Sequence, residues 1–255
     1  MLILGALCVG LSLGLLGSGG SILTVPILVY ALGQGEKEAI AGSLAIVAGI
    51  SALAAIPYAL RRQIAWRSVL LFGLPGMAGA WIGSRIAEGI PGAVQLAIFA
   101  VVMLVAAGFM LLRSNAAEPS GRDSRAAWKI ALDGIGVGLL TGLVGVGGGF
   151  LIVPALVLLG GLPMSLAVGT SLVIIAGNAA TGFVAHLGTV RTLGIELDTR
   201  AILTFIALGG LGALAGHTAG RRLPQATLRR IFAIGLLALG VYVLWRNLPG
   251  ALGRS

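Results

Sequence analysis

The chain consists of long apolar segments that alternate with short polar loops. Segments 39–60, 91–112 and 201–220 each hold roughly 20 residues with almost no charged side chains, the length that a helix needs to cross about 30 Å of hydrocarbon. They lack the period-two alternation of apolar and polar residues that is typical of membrane barrel strands. The pattern therefore predicts an all-α protein that crosses the membrane several times.

Each half of the chain divides into five apolar pieces. They cover residues 1–17, 20–33, 39–60, 66–87 and 92–113 in the first half, and 130–145, 148–161, 165–187, 199–220 and 225–246 in the second. The first two pieces of each half are too short to span a membrane comfortably at about 1.5 Å per residue. They predict a re-entrant hairpin or a pair of helices broken at glycine-rich motifs, which gives about eight to ten transmembrane or re-entrant segments.

The two halves share a pattern that predicts an internal repeat. GLLGSGGSILTVP at 14–26 matches GLVGVGGGFLIVP at 142–154, and AIAGSLAIVAG at 39–49 matches AVGTSLVIIAG at 167–177. An odd number of crossings per repeat would invert the second copy, whereas an even number would leave it parallel. The distribution of Lys and Arg does not discriminate between the two, and the segment lengths favour inversion. The predicted division is a first transmembrane repeat (1–113), a polar linker (114–128), a second transmembrane repeat (129–246) and a short tail (247–255).

The composition is that of a membrane protein. Hydrophobic residues make up 58% of the chain and charged residues 10%, whereas soluble domains carry about 25% charged residues. The net charge of +9 arises from arginines in short loops, such as Arg61, Arg62 and Arg67, as is typical of cytoplasmic loops. The expected partner is therefore the lipid bilayer and not a nucleic acid. A single cysteine excludes an internal disulfide.

The repeated glycine-rich motifs are candidates for a substrate site. Glycine lets the backbone approach a ligand closely, and the helix after each motif starts with free N–H groups and a partial positive charge. This combination binds anions, so we expect the two motifs to meet around one small anion. The predicted binding residues are Gly17, Ser18, Gly19, Gly20 and Ser21 in the first motif and Gly145, Gly147, Gly148 and Gly149 in the second. Close helix packing is the alternative role of these glycines, and it is the role that we predict for the GxxxG spacings Gly79–Gly83 and Gly212–Gly216.

Few other polar side chains lie inside the apolar segments. Carboxylates are almost confined to loops and the linker, and only Asp133 lies at the start of an apolar segment. Because cation pumps usually place carboxylates within the membrane, this distribution favours an anion as substrate. The predicted substrate site also includes Ser43, Thr170, Ser171 and Asn178, and His186 and Asp133 are candidates for contact with a proton or the substrate. Hydroxyls in membrane helices also bond to a carbonyl one turn back, so a structural role is the alternative for the serines.

The sequence contains no residue set typical of an enzyme. Two histidines, one cysteine and one acid inside an apolar segment form neither a nucleophile–base pair nor a set of metal ligands. No cofactor and no metal are predicted. The function classes that fit are a secondary transporter, in which two repeats rock around a site near the midplane, and an anion channel.

The repeated motifs resemble those of the TauE/SafE family of membrane transporters, described as sulfite or organosulfur-anion exporters and permeases. The resemblance is carried by GLLGSGGSILTVPIL with AIAGSL in the first half and by GLVGVGGGFLIVPAL with AVGTSL in the second, and it covers residues 1–246. It implies a multi-pass permease or exporter of the inner membrane that moves a small sulfur-containing anion. The residues themselves indicate an anion but not sulfur, so small carboxylates stay an alternative. The direction of transport, the coupling ion (proton or sodium) and a homo-oligomeric state stay open.

Overall fold

The described part of the chain is helical. The computed structural model describes all residues except 1, 18–19, 113–126, 145–148, 159, 193, 196, 221–224 and 252–255, and no strand occurs among those described. The first half contains α1 (Leu2–Leu16), α2 (Gly20–Ala31), α3 (Glu36–Leu60), α4 (Trp66–Ala87) and α5 (Gly92–Leu112). The second half contains α6 (Ala127–Val144), α7 (Gly149–Leu158), α8 (Met164–Thr192), α9 (Thr199–Gly220) and α10 (Gln225–Ala251). The prediction of an all-α membrane protein is confirmed, and α10 ends inside the segment predicted as a tail.

Lipid explains the composition of the outer surface. Within the described ranges, α3, α4, α6, α8 and α9 are long and apolar enough to cross a membrane. Large apolar side chains such as Leu4, Leu132, Leu211 and Trp245 are exposed on the outside of the bundle. Because water would not tolerate this much apolar surface on a monomer, the hydrocarbon of a bilayer is the solvent that covers it.

The short helices α1 and α2 form an antiparallel hairpin. Gly17 turns the chain with φ +69°, a backbone conformation that glycine adopts without strain. A Cβ atom at Gly20 would contact the carbonyl oxygen of Val9, and one at Gly5 would lie 2.9 Å from Cγ2 of Ile27. The start of α2 therefore packs beside the middle of α1, and the end of α2 packs beside the beginning of α1. In the second half, the connection between α6 and α7 lies outside the described residues.

Glycines join α1 to α9 and α4 to α6 at backbone contact. A Cβ at Gly10 would contact the carbonyl oxygen of Gly209, and a Cβ at Gly138 would contact that of Gly76. The residue numbers along both contacts rise together, so each pair of helices runs parallel. Gly79 and Gly83 face Ile135 and Leu139, while Gly212 and Gly216 face Leu7 and Leu11. The close packing predicted for the two GxxxG spacings is therefore confirmed.

The helices α3 and α8 cross at the centre of the molecule and run antiparallel. A Cβ at Gly182 would lie 3.4 Å from Cδ2 of Leu44, and a Cβ at Gly169 would lie 2.9 Å from Cβ of Tyr58. Fully buried side chains such as Val47 and Leu172 line this crossing. We name the two ends of the bundle after α3: the Glu36 end, where α3 begins and α8 ends, and the Leu60 end, where α3 ends and α8 begins.

The helix pairs are reciprocal between the two halves. The first helix of each half packs on the fourth helix of the other half (α1 on α9, α6 on α4), the third helices pack together (α3 on α8), and so do the fifth (α5 on α10). Two units related by a two-fold axis would give this pattern. The division into two repeats and their inversion stay predictions.

Candidate functional site

The turn of the first glycine motif contacts the second half of the chain. Gly17 is buried beside α8, where its added Cβ would lie 2.7 Å from Cγ1 of Val168. The Ser171 hydroxyl lies 3.1 Å from the carbonyl oxygen of Gly17 and 2.8 Å from that of Val168, so its single proton is shared between two acceptors. The structure thus brings two predicted site residues, Gly17 and Ser171, together.

Gly20 and Ser21 are buried in the α1–α2 hairpin. The hydroxyl of Thr24 donates to the carbonyl oxygen of Gly20 at 3.0 Å, and Val9 and Leu13 leave no room for a side chain at Gly20. Gly20 therefore has a packing role in this structure. Gly149 begins α7, and the other predicted members of the two motifs, Ser18, Gly19, Gly145, Gly147 and Gly148, lie outside the described residues.

The flanks of the two glycine motifs lie at different levels along α8. Gly17 lies beside Val168 and Ser171. At the other motif, the Ser84 hydroxyl lies 3.4 Å from the carbonyl oxygen of Gly142, the first residue of the repeated stretch, and 3.5 Å from that of Gly182. Ser171 and Gly182 are separated along α8 by roughly 16 Å at 1.5 Å per residue. A meeting of the two motifs around one anion therefore stays a prediction.

Two predicted hydroxyl residues already have partners within the fold. The Ser43 hydroxyl donates to the carbonyl oxygen of Ile40 at 2.8 Å. The backbone N–H of Ala65 donates to Oγ1 of Thr170 at 2.9 Å, which ties α8 to the residue before α4. Both side chains are fully buried, and these bonds give them structural roles.

Among the predicted site residues that the structure describes, Asn178 is the one whose side chain has no hydrogen-bond partner at either polar atom. It lies at the middle of α8 with 0% exposure. Neither Nδ2 nor Oδ1 forms a hydrogen bond with any residue in the described part of the chain. The amide faces Gly76 of α4, where a Cβ would lie 3.0 Å from Nδ2 and 3.1 Å from Oδ1. Such an orphaned buried group costs about 1–3 kcal/mol, so its presence calls for a ligand or water as partner.

A second, apolar contact corresponds to the Asn178 pair. Ile50 of α3 lies against Gly209 of α9 in the same way as Asn178 of α8 lies against Gly76 of α4. When the alignment of segments 39–49 and 167–177 is extended by one residue, Ile50 and Asn178 occupy matching positions. The amide therefore makes one side of the α3–α8 crossing polar where the other side is apolar.

His186 lies near the Glu36 end, and Asp133 lies far from it. The His186 ring is 2% exposed, its Nδ1 is 3.1 Å from the carbonyl oxygen of Gly182, and its Nε2 has no hydrogen-bond partner within the described ranges. Asp133 is half-buried near the start of α6, beside Gly134, which packs on Phe72 at the Leu60 end of α4. The structure therefore does not bring these two candidates together.

Ser84 and the contact between Tyr58 and His217 were not predicted from the sequence. The rings of Tyr58 and His217 meet edge to face at the Leu60 end, with centroids 4.5 Å apart. A signal for Ser84 existed: it follows Gly79 at the same interval as His217 follows Gly212. Likewise, Tyr58 and His186 are at matching positions of the two halves, so these four residues place one histidine and one hydroxyl group at each end of the bundle.

No metal centre is evident in the part of the chain that the structure describes. Within it, no three His, Cys, Asp or Glu side chains lie close enough to hold an ion. What the site offers is a set of buried neutral groups, namely hydroxyls, one carboxamide and one imidazole. These groups can bind and release a small polar solute, but they contain no nucleophile–base pair for covalent chemistry.

Comparison with known proteins identifies the family. The sequence model described as "Sulfite exporter TauE/SafE" matches residues 2–243. A "Probable membrane transporter protein" of Xylella fastidiosa is 34% identical over 250 residues, which cover 94% of this chain and 92% of that protein. "Probable membrane transporter protein YunE" of Bacillus subtilis is 24% identical over 259 residues, covering 92% of this chain and 93% of the relative. No solved structure matches the chain. The chain is a membrane transporter and not an enzyme, and it belongs to the TauE/SafE family.

Proposed function

We propose that this transporter is a carrier that exchanges a small anion across the membrane by alternating access, with sulfite or a related organosulfur anion as substrate. The family description supports the sulfur anion. The scarcity of carboxylates within the spanning helices supports an anion over a cation. Small carboxylates are the second candidate substrate class, since a set of N–H and O–H donors would bind them in the same way.

The unpartnered amide of Asn178 is the observation that carries the proposed site. Its Nδ2 supplies two donors in a fully buried position halfway along α8, and a bound anion would accept them. The helix starts that follow the glycine motifs, with their free N–H groups, would supply further donors. In this proposal Gly17 and Ser171 join the first motif to α8, and Ser43 and Thr170 hold the surrounding helices in place.

The antiparallel crossing of α3 and α8 supports alternating access. Corresponding helices of two halves that run in opposite directions are what an inverted repeat requires. The first helix of each half pairs with the fourth helix of the other half. The two halves therefore have equivalent contacts, which can separate when the corresponding end opens. Rocking one half against the other would then open the Glu36 end and the Leu60 end in turn.

Counterflow in proteoliposomes tests the proposed function. Vesicles are loaded in turn with unlabelled sulfite, sulfoacetate, thiosulfate, sulfate, acetate or lactate, and the uptake of labelled sulfite and of labelled acetate is followed against protein-free vesicles. A carrier accumulates label transiently when a substrate is inside, because the outward flux of unlabelled anion drives the inward flux of label. Sulfite accumulation that requires an internal sulfur oxyanion is the expected result.

The other outcomes separate the alternatives. Exchange of carboxylates without sulfite would retain the anion carrier and refute the sulfur substrate. Uptake that rises to equilibrium without transient accumulation would identify a channel, because a pore does not couple the two fluxes. Absence of flux for every anion would refute the proposed function.

A further inference from the structure

Several charged groups lie at the Glu36 end, where His186 is also located. From α3, Lys37 donates its Nζ to the carbonyl oxygens of Ala87 and Ile90 at 2.7 and 2.6 Å. From the end of α4, Arg85 and Glu88 form an ion pair at 3.2 Å, and Glu88 Oε1 lies 3.8 Å from an added Cβ at Gly188, two residues after the histidine. These ionisable groups thus cluster where α3, the end of α4 and the end of α8 meet.

The other helices that pack on α8 present no ionisable group to this ring. The described part of α7 contains no titratable side chain, and those of α6, Lys129 and Asp133, lie at the Leu60 end of that helix. His186 is therefore the innermost titratable side chain of the cluster at the Glu36 end.

Its hydrogen bond fixes which ring nitrogen is free. A carbonyl oxygen only accepts, so the contact of Nδ1 with the Gly182 carbonyl at 3.1 Å places the proton of the neutral ring on Nδ1. The lone pair of a neutral ring is then on Nε2. This atom is buried and unpartnered with respect to the residues that the structure describes. Histidine changes charge near neutral pH, so Nε2 is a base that can take up one proton when water reaches it.

The Gly182 carbonyl links the ring to the second glycine motif. It lies 3.1 Å from the ring and 3.5 Å from the Ser84 hydroxyl, which is also 3.4 Å from the carbonyl oxygen of Gly142. A charged ring donates a stronger hydrogen bond than a neutral one. A proton on His186 therefore competes with Ser84 for Gly182, and it favours the bond from Ser84 to the end of α6, which leads into the second motif.

We propose that His186 is the proton site of this carrier, so that one proton enters at Nε2 with each anion and leaves with it on the other side. The step forms one N–H bond, with the Nε2 lone pair accepting a proton from water. The reverse step returns the proton to water, and no bond of the anion changes. The proton offsets one negative charge that the anion brings into the low-dielectric interior. This inference rests on the proposed anion transport.

The experiment adds a pH gradient to the counterflow assay. The interior of the vesicles is made about one pH unit more alkaline than the medium, and labelled sulfoacetate is added outside. Labelled sulfite is tested in the same way, with protein-free vesicles as the blank. Equal K⁺ on both sides with valinomycin holds the membrane potential at zero, so one proton per anion drives about tenfold accumulation per pH unit whatever the charge of the anion. A pH dye inside the vesicles reports acidification. In His186→Asn the amide can still donate to Gly182, but it cannot titrate, so the accumulation ratio is expected to fall to about one.

Controls make the result specific for this histidine. His186→Gln is a second variant without a titratable ring, and measurable counterflow in either variant shows that the carrier is folded. His217→Gln removes the other histidine of the chain, which packs on Tyr58 at the Leu60 end, and it should keep the response to the gradient.

Three results would overturn the proton site. They are a wild-type protein that exchanges anions without responding to the gradient, a gradient response that persists in both His186 variants, and loss of counterflow from both variants, which would make the ring a substrate contact. Absence of counterflow in the wild-type protein would refute the proposed anion transport itself. This outcome differs from the three above, in which the wild-type protein transports and only the proton site fails.

Discussion

At the residue scale, Asn178 carries a buried amide without a partner in the described part of the chain, which predicts a cost in stability when no ligand is bound. The side chain is fully buried and its two polar atoms have no partner in the described part of the chain, at a cost of about 1–3 kcal/mol. Replacing it with leucine, which has a similar volume and no polar atom, should leave the melting temperature in detergent unchanged or raise it. Counterflow should fall at least about tenfold, the equivalent of roughly one hydrogen bond to a charged ligand.

Asn247 of α10 is the matched control for Asn178. Its Nδ2 donates to Tyr30 Oη and, at 2.7 Å, to the carbonyl oxygen of Val243. Asn247→Leu removes both bonds and should therefore lower the melting temperature. Asn178→Leu with normal counterflow would remove the amide from the substrate site. The contrast between two buried asparagines could not be read from the sequence, because it depends on which groups the fold brings to each amide.

At the element scale, α6 contains two kinds of glycine, for which substitution by alanine should have opposite effects on stability. A Cβ at Gly138 would contact the backbone oxygen of Gly76, which no change of rotamer can relieve, whereas a Cβ at Gly136 would meet nothing within 4 Å. Gly138→Ala should separate α6 from α4 and destabilise the protein by about 1–3 kcal/mol. Gly136→Ala should be neutral or stabilise by up to about 1 kcal/mol through helix propensity. Thermal denaturation in detergent measures both, and equal melting temperatures would contradict the packing role.

The sequence predicted where helices lie better than it predicted which helices pair. Lipid requires long apolar helices, so the segments 66–87 and 199–220 coincide with α4 and α9. The glycine spacings showed that Gly212 and Gly216 lie on a packed face, but not that α1, some 200 residues earlier, is the partner. Such pairing depends on long-range geometry that a local pattern does not contain. The interval from Gly79 pointed to Ser84, but its neighbours come from α6 and α8 and could not be read from that interval.

At the scale of the whole molecule, each end of the bundle holds one buried residue whose exposure would report opening. Ser84 near the Glu36 end is 0% exposed, and His217 near the Leu60 end is 7% exposed. These two residues follow the GxxxG glycines of α4 and α9 at the same interval. Under alternating access the two ends open in turn, so a substrate that shifts the population toward one state exposes one of these positions and buries the other.

Thiol labelling of these two positions tests that coupling. Ser84→Cys and His217→Cys are made separately in a Cys8→Ser background, which removes the single native cysteine. Maleimide labelling rates are then measured with and without sulfoacetate, a sulfonate that does not consume the reagent as sulfite does. We expect the two rates to change in opposite directions, because one rocking motion of the halves governs both ends.

Gly89→Cys, in an open loop position, should label at a constant rate. Rates at Ser84 and His217 that rise or fall together would mean that the two ends open at the same time, and the molecule would then be a channel and not a carrier.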